Sequence, residues 1–160
     1  SKLLKTVNLF KGLDFRQQII YKNKFVTILN DSKSTSFSSS LNLLKSYKNI
    51  FWILGGLAKK GDKFELPSKY YKNIKGYIFG RDKNFFKKKL NKKIISKSFN
   101  NLENILKKIA QEIKLNRKKH YYVLFSPSAA SFDEFKNFEY RGYYFNNLIK
   151  KIKFIKKINA

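Results

Sequence analysis

The chain has 160 residues, enough for one domain with a hydrophobic core, and its lack of Cys excludes disulfides and thiolate metal sites and fits a reducing compartment. Its formal net charge is +26, from 36 Lys and Arg against 10 Asp and Glu, and such a charge raises the possibility of nucleic-acid binding. No apolar run approaches the ~18 residues of a membrane span, so no membrane partner is expected.

The basic residues are almost all Lys: 32 are Lys and only four are Arg. Base reading and bidentate phosphate binding favour Arg. The Lys excess accompanies abundant Asn, Ile, Phe and Tyr, all with A/T-rich codons, so a biased genome explains it without a specific nucleic-acid partner. The densest run, residues 87–93, is predicted to be solvent-exposed. A basic nucleic-acid-binding module stays open as an alternative, and it would place clustered Arg and aromatic residues on one face.

The beginning of the chain predicts a short helix followed by a β-hairpin. Leu3, Val7 and Phe10 recur at helical spacing before a Gly. Residues 18–29 contain two apolar runs around a Lys-Asn-Lys turn, which is typical of a hairpin. The second run, residues 25–29, is apolar nearly throughout, which suits a central strand.

Two further segments combine a strand with a loop that could bind a ligand. Residues 30–36 follow the first central strand and are rich in hydroxyl groups. Residues 50–54 predict a buried strand, and the Gly pair after it lets backbone approach a ligand closely. Lys59 and Lys60 follow that pair. Taken alone, a helix-capping loop and solvated lysines also explain these two loops.

The helix predicted after residue 36 carries its apolar face at Phe37, Leu41 and Leu44.

The middle of the chain continues the alternation of helices and strands. We expect a short helix at 66–74, a strand at 76–80, a helix around residues 85–90 and a brief strand at 94–95. Asn100 and Glu103 have the spacing of a capping box that opens a long helix. The apolar stripe of that helix is predicted to be core and consists of Leu102, Ile105, Leu106, Ile109 and Ile113.

Residues 121–125 predict a buried strand, and the loop after it is a candidate anion site. A helix is expected to begin near Ser131 or Asp133, where free N–H groups and the positive end of the helix dipole favour an anion. An ordinary corner capped by Ser131 is the alternative. The donors within two turns are Lys136, Asn137 and Arg141. A last apolar stripe predicts one helix to the basic tail through Phe145, Leu148, Ile149, Ile152 and Ile155.

The order of elements, strand then helix repeated about five times, predicts an α/β fold. We expect a Rossmann-like, open and mostly parallel sheet of about six strands with helices on both faces. The loops that follow parallel strands would then converge on one edge of the sheet. His120 has no Asp, Glu or Cys cluster near it in the sequence, so no metal site is expected in this chain, which also lacks a P-loop motif.

Three loops of this sequence resemble the C-terminal domain of the Mur ligases that add D-glutamate in peptidoglycan synthesis. The loop motifs, written from the sequence, are Asn30-Asp-Ser-Lys-Ser-Thr35, Gly55-Gly-x-x-Lys59 and Ser126-Pro-x-x-Ala-Ser-x-Asp-x-Phe-Lys-Asn-Phe-x-x-Arg-Gly142. The resemblance covers nearly the whole chain. It implies that residues 12–160 are the D-glutamate-binding domain and that residues 1–11 are a linker helix or the end of a central ATP-binding domain. The lack of Met at the start fits part of a longer protein.

The resemblance also implies roles for individual residues. Asp31 and Arg16 would contact the nucleotide, and no catalytic residue would lie in this fragment. The family usually has His-Arg where this chain has Phe15-Arg16, so the contribution of that His is in doubt. Lys60 could substitute for Lys59. The D-glutamate-binding set would be Lys33, Thr35, Lys59, Ser131, Phe132, Asn137 and Phe138, supported by Ser32, Lys136 and Arg141.

The activity implied by the resemblance is that of an ATP-dependent acid–amino-acid ligase in cell wall biogenesis. ATP phosphorylates the carboxyl group of UDP-N-acetylmuramoyl-L-alanine, and the amine of D-glutamate displaces phosphate. ATP and Mg²⁺ would be bound mainly by the central domain, so the fragment alone is expected to be inactive. A cytoplasmic, monomeric protein is expected. A ligase of the same superfamily with a different amino-acid substrate is the second alternative.

Overall fold

The computed structural model describes residues 13–160, and the helix predicted for residues 2–10 lies outside this range. The described residues form six strands, five α-helices and one 3₁₀ helix around a single sheet. In chain order the elements are β1 (Gln18–Lys22), β2 (Val26–Asn30), α1 (Phe37–Ser46), β3 (Ile50–Gly55), the 3₁₀ helix (Ser68–Asn73), β4 (Ile74–Phe79), α2 (Lys83–Leu90), β5 (Ile95–Ser98), α3 (Leu102–Leu115), β6 (Tyr121–Phe125), α4 (Phe138–Lys151) and α5 (Phe154–Asn159).

The sheet confirms the predicted fold class. Its strand order is β1-β2-β6-β3-β4-β5, and every neighbouring pair is parallel except the β1–β2 hairpin. Asn23 closes that hairpin, because its side-chain oxygen accepts bonds of 2.8 Å from the N–H groups of Phe25 and Val26. The predicted Lys-Asn-Lys turn is therefore confirmed.

The register of the parallel strands aligns the ends of four of them. Phe125, the last residue of β6, pairs with Asn30 of β2 and Ile53 of β3, and Gly55 pairs with Phe79 of β4. Parallel strands with aligned ends send their following loops to the same edge of the sheet. This edge is called the carboxyl edge below.

Helices cover both faces of the sheet and bury two apolar clusters. On one face, α3, α4 and α5 pack on the sheet through side chains such as Ile109, Phe145 and Phe154. On the other face, α1 and α2 contribute Phe37 and Phe86. The predicted stripe of α3 is buried at every position. Within residues 13–160, no helix combines the length and the apolar character needed to cross a membrane.

The start of α4 differs from the sequence-based expectation. The helix begins at Phe138 and not near Ser131 or Asp133. Residues 131–137 form turns in which the Ser131 carbonyl accepts bonds from the N–H groups of Glu134 at 3.3 Å and Phe135 at 2.9 Å. The cap is Asn137, whose side chain accepts from the Tyr140 N–H at 2.9 Å. Ser131 is therefore a loop residue and not a helix cap.

Several other predicted boundaries shift by one or a few residues. The N-cap of α3 is Asn101 and not Asn100, since the Asn101 side chain accepts from the Asn104 N–H at 2.8 Å. The helix predicted for 66–74 is a shorter 3₁₀ helix, and β4 and β5 lie at 74–79 and 95–98.

The prediction of a single C-terminal helix from the last apolar stripe is wrong. Lys153 adopts a left-handed conformation, with φ of 53°, and separates α4 from α5. After this turn, Phe154 and Ile158 are fully buried in the apolar cluster that includes residues of α3 and the sheet.

A pair of variants on α3 tests whether its predicted stripe supports the core. Ile109→Ala should lower the free energy of unfolding by about 2–5 kcal/mol, because it leaves a cavity at a fully buried position. Leu115→Ala, on the same helix at a position that is 87% exposed, should change it by less than about 0.5 kcal/mol. Urea unfolding followed by circular dichroism measures both values, and equal losses would contradict this assignment of the core.

Candidate functional site

The three loops singled out from the sequence meet at the carboxyl edge. The Asp31 N–H donates to the Phe125 carbonyl at 2.7 Å, and the Gly55 N–H donates to the Pro127 carbonyl at 2.9 Å. Leu57 and Ala130 exchange two backbone bonds of 3.0 Å. The loop after β6 thus lies between the loops after β2 and β3, in the same order as their strands.

Glycine is required where the loop after β3 begins. Gly55 has φ of 133°, and a Cβ atom on it would lie 1.9 Å from the Phe79 carbonyl oxygen. Gly56 has φ of 130°, and its Cβ would lie 2.6 Å from the Ala130 oxygen. Only residues without a side chain allow this approach, so the Gly pair serves the contact between neighbouring loops.

The Arg141 side chain is buried at the carboxyl edge, where it links the loop after β2 to the loop after β6. It is 1% exposed, and its Nε donates to the Ser32 hydroxyl at 3.0 Å. Nη1 donates to the Ala129 carbonyl at 2.8 Å, while Nη2 donates to the carbonyls of Ser32 and Ser34. Burial lowers the pKa of Arg141 to about 10, which leaves the guanidinium protonated at neutral pH. The hydrogen bonds donated by the Arg141 side chain therefore go to the loops themselves.

Four buried hydroxyl groups form a second link between the loops. The Ser40 Oγ lies 2.7 Å from that of Ser34 and 2.6 Å from those of Ser126 and Ser128. The Ser126 hydroxyl donates to the Asp31 carboxylate at 2.6 Å. Sequence reasoning missed Ser40, Ser126 and Ser128. The available signal was weak: Ser126 directly follows a buried strand, and Ser40 lies three residues after Phe37, one turn along the inner face of α1.

Asp31 connects this network to the turn that carries Arg16. The Asp31 Oδ1 accepts from the Gln17 N–H at 3.1 Å, and its other oxygen is bound by Ser126. Burial raises the pKa of Asp31 from 3.8 to about 6, although both hydrogen bonds and the nearby charges of Arg16 and Arg141 act in the opposite direction. Both carboxylate oxygens thus have partners within the protein.

The turn at residues 15–17 is held in a conformation that side chains rarely adopt. Phe15 and Gln17 have φ of 62° and 48°. The Phe15 carbonyl accepts from the Lys33 N–H at 3.0 Å. Arg16, between them, is exposed. The turn therefore presents the Arg16 side chain to solvent beside the loop after β2.

The other candidate residues are mostly on the surface. Lys33 and Phe138 are brought together, with the Lys33 Nζ 5.5 Å from the centroid of the Phe138 ring. Phe138 also accepts a bond from the Ser32 hydroxyl at its carbonyl oxygen, at 2.7 Å. Ser131 is buried, and Asn137 is half-buried. The exposed candidates are Lys33, Thr35, Lys59, Lys60, Phe132 and Lys136.

Metal ligands are not gathered at this edge. Among residues 13–160, no three His, Cys, Asp or Glu side chains lie close enough together to hold a metal ion. His120 lies near the opposite edge, where its ring nitrogens contact the Thr27 hydroxyl at 2.8 Å and the Lys24 carbonyl at 3.1 Å.

No family model matches the chain, but individual curated relatives do. It is 34% identical over 154 residues to the UDP-N-acetylmuramoylalanine–D-glutamate ligase of Wolbachia sp. subsp. Brugia malayi, covering 96% of this chain and 30% of that protein. The enzyme of the same name from Hydrogenobaculum sp. is 35% identical over 153 residues, covering 94% and 36%. The one from Bartonella henselae is 34% identical over 144 residues, covering 90% and 31%.

These matches confirm the resemblance to the D-glutamate-adding ligases. The chain spans about a third of the length of the curated relatives it matches. The similarity extends well beyond the three motif loops, because it covers 90% or more of this chain. It therefore includes the helices and strands that support those loops.

The structure shows what Phe15 contacts, at the position where the sequence departs from the His-Arg pair of the resembled ligases. Phe15, where the ligases usually have His, is 3% exposed. Its ring contacts Tyr143 edge-on, with 4.8 Å between ring centroids. A Cβ atom on Gly142 would lie only 2.3 Å from this ring. Phe15 is thus a buried anchor of the turn that carries Arg16.

The pH dependence of stability tests the burial of Asp31. Because its pKa is raised from 3.8 to about 6, folding takes up a proton between these values, and stability should fall as pH rises through that window. Asp31→Asn keeps an oxygen for the Gln17 N–H and removes the titration. Relative to this variant, the unmodified protein should lose about 2 kcal/mol between pH 4 and 7. Urea unfolding at several pH values measures the difference, and parallel pH profiles would contradict it.

Proposed function

We propose that residues 12–160 form the C-terminal, D-glutamate-binding domain of an ATP-dependent ligase that extends UDP-N-acetylmuramoyl-L-alanine. Residues 1–11 would be a linker helix or the end of a central ATP-binding domain. The observation that carries this proposal is the convergence of three loops, each with a motif residue of the D-glutamate-adding ligases, on one edge of the sheet. The similarity over almost the whole chain supports it.

The charges on these loops suit the chemistry of D-glutamate, which has two carboxylates and one amine. Lys33 and Lys59 lie on the loops on either side of the loop after β6 and are both exposed. Thr35 and Ser131 add hydroxyl groups, and the start of α4 at Phe138 adds N–H groups. Two cationic loops around a central donor-rich loop can hold two carboxylates apart and leave the amine free to react.

The loops owe their fixed geometry to residues beneath them. Arg141 donates to the backbone carbonyls of Ser32 and Ser34, on both sides of Lys33, and of Ala129 near Ser131. The Ser40 hydroxyl contacts the side-chain hydroxyls of Ser34 and Ser128. A site held by buried bonds loses less entropy when it binds its ligand. In the proposed enzyme this domain contributes by positioning the amine, and the supporting residues contribute by fixing the loops.

Arg16 is the proposed nucleotide-binding residue of the described chain. Its turn is fixed by Asp31 and by the Lys33 N–H, so a cation is presented next to the D-glutamate loops. ATP would phosphorylate the carboxyl group of the UDP-linked substrate, and the amine of D-glutamate would then displace phosphate. As the resemblance implies, ATP and Mg²⁺ would be bound mainly by the central domain of the ligase. A cytoplasmic, monomeric enzyme is proposed.

The first test concerns the chain alone. The 160-residue chain has no P-loop motif, and its described part has no metal-ligand cluster. Mixed with ATP, Mg²⁺, UDP-N-acetylmuramoyl-L-alanine and D-glutamate, it should therefore release no phosphate above background in a coupled assay. Turnover by the chain alone would contradict the proposed division between domains.

The second test compares lysines within the full-length ligase. Lys33→Ala and Lys59→Ala should each lower kcat/KM for D-glutamate by an amount equivalent to about 2–5 kcal/mol, because each leaves a partly desolvated carboxylate without its partner. The KM for the UDP-linked substrate should change little. Steady-state kinetics with each substrate varied in turn measures both effects.

Lys88→Ala is the matched control, since Lys88 is exposed in the last turn of α2. The run 87–93, predicted from the sequence to be exposed, is not exposed throughout, because Leu90 is fully buried. It should change neither parameter measurably. Equal effects of the three variants would mean that the proposed pocket is wrong. Competition among amino acids in the same assay separates a D-glutamate ligase from a ligase of the superfamily that adds another amino acid.

A further inference from the structure

A groove of about 510 Å³ lies between α3 and α5, separate from the carboxyl-edge loops. Ala110, which is buried, and Gln111, which is exposed, line it on α3. Five lysines also line this groove, which is called the lysine groove below: Lys107, Lys114, Lys153, Lys156 and Lys157.

Tertiary structure, not a run in the sequence, assembles this groove. Two of its lysines come from α3, and the other three lie about 40 residues later in the chain. They meet because the left-handed residue Lys153 turns α5 back onto α3, where Phe154 and Ile158 are fully buried. The packing of Phe154 and Ile158 thus sets the backbone positions of the lysines, whose side chains are exposed.

Few acidic groups neutralise the groove. Lys107 pairs with Glu103 at 2.8 Å, and no ion pair is recorded within residues 13–160 for the other four lysines. The Ala160 oxygen also lies at the groove and accepts a bond of 2.9 Å from Arg117. Lys114, Lys156 and Lys157 lie in the last turns of their helices, where the helix dipole favours a cation. Lys107 lies in the middle of α3 beside its partner Glu103, and Lys153 lies just before α5.

We propose that the lysine groove is a binding site for a compact anion with several phosphate groups, such as the phosphate chain of a nucleotide or inorganic polyphosphate. Lysines act as point charges for phosphate, and several of them around one concave site attract such an anion most strongly. Among the described residues, those that line the groove include no aromatic side chain for stacking bases and no Arg for reading them, so a single-stranded nucleic acid fits it less well. Arg117 is bonded to the lining residue Ala160. This inference is independent of the proposed ligase activity.

Calorimetric titration of the 160-residue chain with tripolyphosphate at 150 mM NaCl tests this site. We expect saturable binding of one anion per chain. The variant Lys114→Gln/Lys153→Gln/Lys156→Gln should bind about tenfold more weakly, because it removes three of the five positive charges that face the anion. Titration with ATP under the same conditions distinguishes the sources: equal affinities indicate recognition of the phosphate chain, and tighter ATP binding indicates a nucleotide.

The control variant is Lys87→Gln/Lys88→Gln/Lys92→Gln on α2 and the turn after it. It removes the same charge, and it likewise changes two lysines in the last turn of a helix and one left-handed lysine, Lys92 with φ of 59°. Its affinity for tripolyphosphate should change less than twofold. Circular dichroism and urea unfolding verify that both variants fold.

Three outcomes would overturn the proposal. One is the absence of saturable binding to the unmodified chain. The second is equal weakening by the two triple variants, which would show a response to net charge alone. The third is selective binding of a 20-nucleotide DNA, lost in the groove variant, without tripolyphosphate binding. If a triple variant does not fold, NMR chemical-shift changes on addition of tripolyphosphate to the unmodified chain replace the comparison. Changes confined to α3 and α5 support the site, and changes elsewhere contradict it.

Discussion

The buried guanidinium of Arg141 is the contact on which the carboxyl edge depends. Removing a charged group from water costs on the order of several kcal/mol, and here its direct partners are three carbonyls and one hydroxyl rather than a carboxylate. Those bonds offset the cost only when the loops around Ser32 and Ala129 take their observed paths. The loop geometry and the burial of Arg141 therefore require each other.

The same helix, α4, fixes the other parts of the edge. Next to Arg141, the Gly142 carbonyl accepts from the Asn30 side chain at 3.0 Å, and Asn30 also donates to Asn146 at 2.8 Å. Gly142 leaves room for the Phe15 ring, which anchors the turn of Arg16. The end of β2, that turn and the start of α4 thus form one unit. Movement of α4 would displace Lys33 and Arg16 together.

The lysines of this protein differ in what surrounds them. Lys33 and Lys59 lie on loops at the edge where parallel strands end, and the lysine groove collects five more between two helices. The run 87–93 has neither kind of surrounding: Lys87 and Lys88, for example, are exposed on a helix surface. A net charge of +26 therefore does not describe one uniform surface, and position decides which lysines can bind an anion.

The sequence alone determined the elements whose pattern is local. The apolar runs at 50–54 and 121–125, the stripe of α3 and the motif loops follow from periodicity and from neighbouring residues, and so does the parallel α/β class. Tertiary contacts decided the rest. The last predicted helix is interrupted at Lys153, and Phe154 after it is buried in the cluster that includes α3. Phe15 is buried because Gly142, 127 residues later, leaves space for its ring. The serine network and the lysine groove likewise join residues far apart in the chain, and a local pattern carries no information about which distant groups will meet.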